Sequence, residues 1–313
     1  MPRTLDGNYV TKAARIANEG EDLFNKDELE QAKEAFNMAA KLYKDNGDTF
    51  GEAEAIVRCA DVEFAQKNLS RASELYEYAK NILNDAEHNN ARGDILLKLC
   101  ETAIEAEDIT KAKDAVLSAI EIFKQETNYI GIAKGYDLRA SISLRAGQED
   151  SAMDEYKKSA NYYHKGGNTL NEALALLAMA RICMLLKKND IAHDVLEKSV
   201  VLFRENGDLI GEASSLTGIG ILRRSIGDIR NSKKALAKAV YLFEKASNPM
   251  GQAEAMLHLA RAEAADRDNI DNPFEKAIKN YRKAINLLKI THLEEMRLKA
   301  EKELDELLIR KIG

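Results

Sequence analysis

The chain has few residues that interrupt helices, and nothing in it resembles an export signal or a membrane-spanning segment. Only 3 of its 313 residues are proline and none is tryptophan. Because proline breaks helix interiors, its scarcity favours long helices throughout the chain. No stretch approaches about 18 consecutive apolar residues, and residues 1–10 lack the apolar core of a signal peptide. We therefore expect an all-α, soluble protein of the cytoplasm that is not inserted into a membrane.

Cysteine and surplus positive charge are also scarce. Cys59, Cys100 and Cys183 have neither disulfide-framework nor zinc-site spacing. We therefore expect a reducing compartment and buried thiols that act as small apolar side chains. The net charge of −6 leaves no basic footprint of the kind that nucleic-acid-binding proteins carry. The composition thus excludes general nucleic-acid binding from the predicted functions.

No arrangement of residues indicates catalysis or a cofactor. The five histidines are scattered, and the chain has neither a phosphate loop nor a dinucleotide fingerprint. Acidic pairs are frequent, but a chain with 31% charged residues places such pairs on any helix surface. We therefore predict that the protein is not an enzyme and binds neither a metal ion nor a cofactor.

The chain does contain an internal repeat with a period of 40 residues. The triplet Gly51-Glu52-Ala53 recurs in register as Gly131-Ile132-Ala133, Asn171-Glu172-Ala173, Gly211-Glu212-Ala213 and Gly251-Gln252-Ala253. Small residues form three further columns: Ala32, Ala72, Ala112, Ala152, Ala192; Ala39, Ala79, Ala119, Ser159, Ser199, Ala239; and Ala60, Cys100, Ala140, Ala180, Gly220, Ala260. A bulky column contains Phe36, Tyr76, Val116, Tyr156, Leu196 and Leu236. A fixed period of this length is typical of repeat architectures.

The column spacing predicts two packed helices in each repeat. Ala72, Tyr76 and Ala79 lie on one helix face, where the small residues admit a neighbouring helix and the bulky one fills the gap. Gly147 and Gly227 fall between the two predicted helices of their repeats. Neither helix can bury its apolar stripe alone, so each repeat has to stack on its neighbours.

These columns divide the chain into three kinds of segment. Residues 1–10 form an N-terminal extension, and seven repeats follow at 11–50, 51–90, 91–130, 131–170, 171–210, 211–250 and 251–289. The seventh carries an insertion of five residues after Asp266, because Ala277, Tyr281 and Ala284 match the earlier columns only after that shift. Residues 290–313 have a single apolar stripe, which predicts a capping helix: Leu293, Met296, Ala300, Leu304 and Leu307.

The small–bulky–small pattern of the second helix resembles the tetratricopeptide repeat (TPR). The 40-residue period and the Gly-Asp-x-x-Gly-Glu-Ala joint, at residues 47–53 and 207–213, are similar to the variant found in kinesin light chains and Leu-Gly-Asn-repeat adaptors. The resemblance covers residues 11–289, although Tyr136 is the only aromatic residue at the early first-helix position. It implies a right-handed superhelical solenoid of helix-turn-helix repeats, whose first helices line a concave groove that binds a peptide or helix.

If the first helices line such a groove, its exposed positions recur with the period. The candidate partner-binding residues are Val57, Asp61, Leu97, Glu101, Asp137, Leu177, Arg181, Thr217, Arg224, Leu257 and Arg261. Acidic members dominate the first half and arginines the second, which predicts a partner with the opposite polarity. The apolar members would anchor it. Asp61, Glu101 and Ser141 stand where chaperone-binding TPR domains need asparagine, so binding of a C-terminal carboxylate is disfavoured.

We therefore expect a scaffold or adaptor that binds a protein or peptide partner, without an indication of which partner or of the oligomeric state. Two alternatives remain open. One is an adaptor of membrane fusion similar to the soluble NSF attachment proteins, which have a similar length and TPR-like hairpins but a less regular period. The other is a regulatory protein whose groove senses a peptide or small ligand.

Overall fold

The computed structural model describes residues 7–83, 86–266 and 274–312, and within these ranges it contains helices and turns but no strand. The α-helices in these ranges are α1 Gly7–Asn25, α2 Leu29–Asn46, α3 Thr49–Ala65, α4 Leu69–Ile82, α5 Asn89–Glu105, α6 Ile109–Gln125, α7 Tyr129–Arg145, α8 Glu149–Lys165, α9 Thr169–Leu185, α10 Asn189–Glu205, α11 Leu209–Ser225, α12 Ile229–Lys245, α13 Pro249–Ala264, α14 Glu275–Ile290 and α15 Glu294–Ile312. A single 3₁₀ turn, Ala86–His88, precedes α5.

The helices pack as consecutive pairs, and the chain divides into two compact units, residues 1–166 and 167–313. In the N-terminal unit α1 packs on α2, α3 on α4, α5 on α6 and α7 on α8. In the C-terminal unit the pairs are α9 with α10, α11 with α12 and α13 with α14, and α15 packs on α14. The predicted all-α fold of stacked helix pairs is confirmed. The division into seven repeats, an extension and a cap stays a prediction.

The residue columns found in the sequence form the core. Ala72, Ala79 and Ala60 have no exposed surface, and Tyr76 is 2% exposed. Ala277, Tyr281 and Ala284 are buried in the same way, which agrees with the five-residue shift, although most of the inserted segment (267–273) lies outside the described residues. The three cysteines are buried and free, as expected, and burial raises the pKa of Cys59 to about 12.

An aromatic ring packs against the glycine of the repeated triplet and leaves no room for a Cβ atom there. A Cβ atom on Gly211 would stand 2.2 Å from Cδ1 of Phe203, which ends the buried face of the preceding helix. The same clash would occur at the other triplet glycines, where the rings belong to Tyr43, Phe123 and Phe243. Each of these helices also starts with a capped backbone, since the side chain of Asp208 accepts a hydrogen bond from the Gly211 amide.

Left-handed turns end many of the helices. Gly207, at φ +71°, follows α10, and the amide of Asp208 donates to the Phe203 carbonyl at 2.9 Å. Glycine suits this conformation because it has no Cβ atom to clash. The turn reverses the chain within a few residues, so the next first helix starts beside the helix that ends there.

The last helix, α15, buries one stripe only. Ala300, Leu304 and Leu307 are buried, whereas Leu298 is 54% exposed. These buried residues belong to the stripe predicted from the sequence, and they pack with residues of α13 and α14.

Candidate partner-binding cleft

The first helices of the N-terminal unit form a cleft of about 800 Å³, which we call the N-terminal cleft. Most of the lining side chains belong to α1, α3, α5 and α7, and Phe36 and Tyr43 of α2 and Leu83 complete the lining. Four of the candidate residues lie in its wall: Val57, Leu97, Glu101 and Asp137. A volume of this size falls in the range of pockets that bind ligands.

Asp61, the fifth candidate in this unit, is engaged inside the protein. Its carboxylate accepts a hydrogen bond from the Tyr76 hydroxyl at 2.5 Å and lies 2.7 Å from the Lys98 ammonium. The Arg58 guanidinium also lies 3.3 Å from the Asp61 carboxylate. Asp61 therefore joins α3, α4 and α5 to one another, and its charge is already matched.

Several other carboxylates of the N-terminal cleft have no such partner. Among the described residues, no cationic side chain forms an ion pair or hydrogen bond with Glu54, Asp94 or Glu101, which line the cleft. Burial raises the pKa of Asp94 and of Glu101, although the nearby Lys134 and Lys98 act in the opposite direction. Glu101 keeps solvent-exposed surface, so its charge is available to a bound molecule.

Asp137 is the most perturbed carboxylate of the N-terminal cleft. Burial raises its pKa to about 6, against the stabilising effect of the Ser159 and Tyr163 hydroxyls. The Tyr163 hydroxyl donates to Oδ2 at 2.9 Å. Oδ1 is buried and has no hydrogen-bond partner of good geometry, and the same holds for the Ser159 hydroxyl. No cationic side chain in the described part of the chain pairs with Asp137.

The candidates of the C-terminal unit differ from one another in accessibility. Leu177, Thr217 and Leu257 are buried, at 8%, 6% and 3% exposure, and the Thr217 hydroxyl donates to a backbone carbonyl of its own helix. Arg181 is exposed. Arg224 is half-buried, and its Nε atom has no hydrogen-bond partner. The two arginines are thus the members of this set with free cationic groups.

Arg261, in contrast, is bound within the C-terminal unit. Its guanidinium makes two hydrogen bonds to Glu303 of α15, at 2.8 and 2.9 Å, and the Tyr281 hydroxyl donates to the same carboxylate at 2.9 Å. The neighbouring His258 has its pKa lowered to about 4 by burial and by the charge of Arg261. Arg261 therefore fixes α13 to α15 through a carboxylate that the sequence pattern did not reveal.

Lys98 was missed by the sequence analysis, yet a signal for it existed. It stands 40 residues after Arg58, so the two form a basic column that runs beside the acidic one. The buried glutamate of the triplet was also missed as an ion-pair partner: Glu212 is 5% exposed and lies 2.8 Å from both Arg204 and Lys238.

Two further properties bear on the kind of site. Within the described ranges, no three histidine, cysteine, aspartate or glutamate side chains are grouped in a way that could hold a metal ion. None of the helices in those ranges combines the length and apolar character needed to cross a membrane.

Comparison with known proteins bears on the fold. A sequence model of the family described as soluble NSF attachment protein, SNAP, matches residues 146–300. No curated protein sequence matches the chain.

Solved structures with the same architecture include three helical-repeat proteins. BtubC (BKLC) from P. vanneervenii is 17% identical with a TM-score of 0.61, and the match covers 72% of this chain and 90% of that chain. A putative kinesin light chain with nearly identical TPR-like repeats from Podosopora anserina is 14% identical (TM-score 0.53; 66% and 98% covered). A Rap protein complexed with competence and sporulation factor is 12% identical (TM-score 0.52; 96% and 98% covered). The chain therefore has the TPR-type helical-repeat fold that its sequence resembles.

Proposed function

We propose that this chain is a protein-interaction scaffold or adaptor, and that it binds a segment of a partner protein in the N-terminal cleft. The observation that carries the proposal is the cleft itself: an opening of about 800 Å³ on the first helices, with apolar and charged side chains in one wall. Val57 supplies apolar contact area, with a small addition from Leu97, which is 6% exposed, and Glu101 and Asp137 supply polar contacts that orient a segment. The proposal assigns no catalytic step to the chain.

The neighbouring folds support this proposal indirectly. The Rap protein of similar fold is described as a complex with another factor, and TPR-type folds present continuous helical faces on which partners pack. Because one fold hosts many functions, the argument depends on the residues of the cleft. Arg181 and Arg224 remain candidates for a second contact region on the C-terminal unit, and the buried candidates Leu177, Thr217 and Leu257 stay predictions.

A comparison of two point variants tests the proposal. Val57→Arg places a long charged side chain in the cleft wall, whereas Leu117→Arg makes the same kind of change at a 52% exposed position on α6. Proteins retained from a cell extract by the wild type and by Leu117→Arg, but lost by Val57→Arg, are partners of the cleft. Identical sets of retained proteins for all three forms would refute the proposal, provided that circular dichroism shows Val57→Arg to be folded.

The match of residues 146–300 to the SNAP family favours an adaptor of membrane fusion as a second candidate. Such an adaptor binds a coiled-coil SNARE bundle and a hexameric ATPase. Pull-down of the purified chain with both components tests this candidate, and binding to neither would exclude it.

A further inference from the structure

We propose that the partner segment bound in the N-terminal cleft is basic: its lysine or arginine side chains pair with Asp94, Glu101 and Asp137, and its apolar side chains pack on Val57. This inference rests on the proposed function and adds the chemistry of the partner. It keeps the basic end of the partner expected from the sequence, although Asp61 and Arg261 are matched inside the protein and do not contribute to it.

The first argument is the charge of the lining. The charged side chains of the N-terminal cleft are Glu21, Glu54, Asp94, Glu101 and Asp137, against Arg58, Lys98 and Lys134. Arg58 lies 2.6 Å from Glu21, and Lys98 lies 2.7 Å from Asp61 beside the cleft, so both cations are already engaged. Among the described residues Lys134 alone, of the three, has no ion-pair partner. The carboxylates of Glu54, Asp94, Glu101 and Asp137 thus remain unpaired in the lining, with Lys134 as the one unpaired cation among the described lining residues.

The second argument is the cost of holding these carboxylates without partners. Burial raises the pKa of Asp94, Glu101 and Asp137, which means that the protein destabilises their ionised forms relative to water. A cation that enters the cleft stabilises the ionised carboxylates and so offsets part of the free energy that desolvation costs them. An anionic segment would instead add repulsion in a site from which water is partly removed.

The third argument concerns what surrounds Asp137. The side chains that face it from α8 are the hydroxyls of Ser159 and Tyr163, and burial together with Asp137 raises the pKa of Tyr163, so it stays neutral at physiological pH. Lys134, on the same helix, is exposed. Among the described residues no cationic side chain pairs with Asp137, so this carboxylate is open to a cation of the partner.

The geometry of the lining also supports a segment with several cations instead of a single one. Asp94, Leu97 and Glu101 lie on α5, Asp137 lies on α7 and Val57 lies on α3. Acidic positions on two helices thus share the wall with apolar ones. An amphipathic segment with apolar residues beside basic ones matches this arrangement, whereas a lone ammonium group leaves most of the wall unused.

Two synthetic peptides of about 14 residues, or roughly four helical turns, test the inference. Both carry leucine at the same positions, and the polar positions are lysine in one peptide and glutamate in the other. Fluorescence anisotropy measures the binding of each to the full chain. We expect binding of the lysine peptide and none of the glutamate peptide, with the affinity falling as salt is raised.

Three variants locate the binding. The double variant Glu101→Gln/Asp137→Asn removes two charges from the cleft, and it should lower the affinity for the lysine peptide about tenfold. Glu34→Gln/Glu121→Gln removes two charges from exposed positions on α2 and α6 and should leave the affinity unchanged. Lys134→Ala should strengthen binding about threefold because it removes the competing cation. A gain of affinity cannot result from misfolding.

The outcomes separate this inference from the proposed function. Equal binding of both peptides, no binding of either, or equal weakening by the cleft variant and its control would overturn the basic-segment inference. If cell-extract partners are still lost by Val57→Arg in that case, the cleft is a binding site for a segment of different chemistry and the proposed function stands. If Val57→Arg retains every partner, the proposed function itself fails.

Discussion

Asp137 and Glu212 are two partly or fully buried carboxylates whose surroundings give them opposite effects on stability. Burial raises the pKa of Asp137 to about 6, and no cationic side chain of the described residues offsets this effect. Burial acts in the same direction on Glu212, but hydrogen bonds from Lys238 and Arg204 outweigh it, so the pKa of Glu212 is lowered. A carboxylate left without a partner at a cleft is a cost to folding that a binding site can explain.

Asp137→Asn should stabilise the protein. The raised pKa means that ionisation of Asp137 costs stability, a cost that is absent below the unfolded-state pKa near 4 and complete above about pH 6. We expect the variant to be more stable by about 1–2 kcal/mol at pH 7.5 and equal to the wild type near pH 4. Urea unfolding at the two pH values measures this, with Asp154→Asn, exposed on α8, as the control. A variant that is less stable at pH 7.5 would contradict the account.

Glu212→Gln should show the opposite pH dependence. The lowered pKa of Glu212 means that its ionised form contributes stability above the unfolded-state pKa, and that this contribution is lost as the pH falls below it. The variant leaves Arg204 and Lys238 without their carboxylate and should lose about 2–3 kcal/mol at pH 7. The difference in the free energy of unfolding between the wild type and the variant should narrow toward pH 3. Urea unfolding measures this difference, with Glu205→Gln, at an exposed position on α10, as the control. A loss of equal size at both pH values would argue against an ionic contribution.

At the scale of the helices, the joint between repeats depends on a pair of residues eight positions apart. Four of the joints combine an aromatic residue with glycine: Tyr43 with Gly51, Phe123 with Gly131, Phe203 with Gly211 and Phe243 with Gly251. At the second joint the pair is Leu83 with Ala91, so a smaller side chain accompanies the added Cβ atom and offsets its volume. The fourth pair of the series, Tyr163 and Asn171, does not follow this exchange.

This pairing predicts a rescue. Gly211→Ala alone places a Cβ atom against the buried Phe203 ring and should cost about 2–3 kcal/mol. Phe203→Leu alone leaves a cavity and should also be destabilising. The double variant reproduces the Leu83–Ala91 joint, so we expect it to be more stable than the sum of the two losses by about 1 kcal/mol or more. Thermal unfolding of the four proteins measures the coupling, and strict additivity would mean that the ring and the glycine do not determine each other.

Much of this arrangement of helices could be predicted from the sequence. The period of 40 residues located the helix pairs, and the small residues identified the core, because tight packing leaves few substitutions at those positions. The ion pairs could not be predicted in the same way. Asp61 and Arg261 occupy positions that look exposed in the pattern, but Lys98 and Glu303 lie two helices further along the chain, and only the fold brings them together. The acidic character of the first half was visible in the sequence, whereas the engagement of its cations was not.

For the molecule as a whole, the same three-helix junction occurs in both units with the charges exchanged. In the N-terminal unit an aspartate on α3 (Asp61) meets Lys98 on α5, and in the C-terminal unit Arg261 on α13 meets Glu303 on α15. In each junction a tyrosine of the intervening helix donates to the carboxylate. The corresponding positions also coincide along the helices, since Lys98 and Glu303 are both the tenth residue of theirs. The junction therefore occurs with either polarity, and the two charges are opposite in both cases, which suggests the hypothesis that opposite charges are required.

An exchange of the two charges at the C-terminal junction tests this requirement. Arg261→Glu alone sets two carboxylates against each other beside Tyr281 and should cost about 2–4 kcal/mol, with α15 becoming sensitive to protease. Adding Glu303→Arg restores opposite charges in the order that Asp61 and Lys98 already use, so we expect most of the stability and the protection of α15 to return. Urea unfolding and limited proteolysis measure both effects. A double variant no more stable than Arg261→Glu would mean that the C-terminal junction depends on the particular fork of the arginine and not on the pairing of charges.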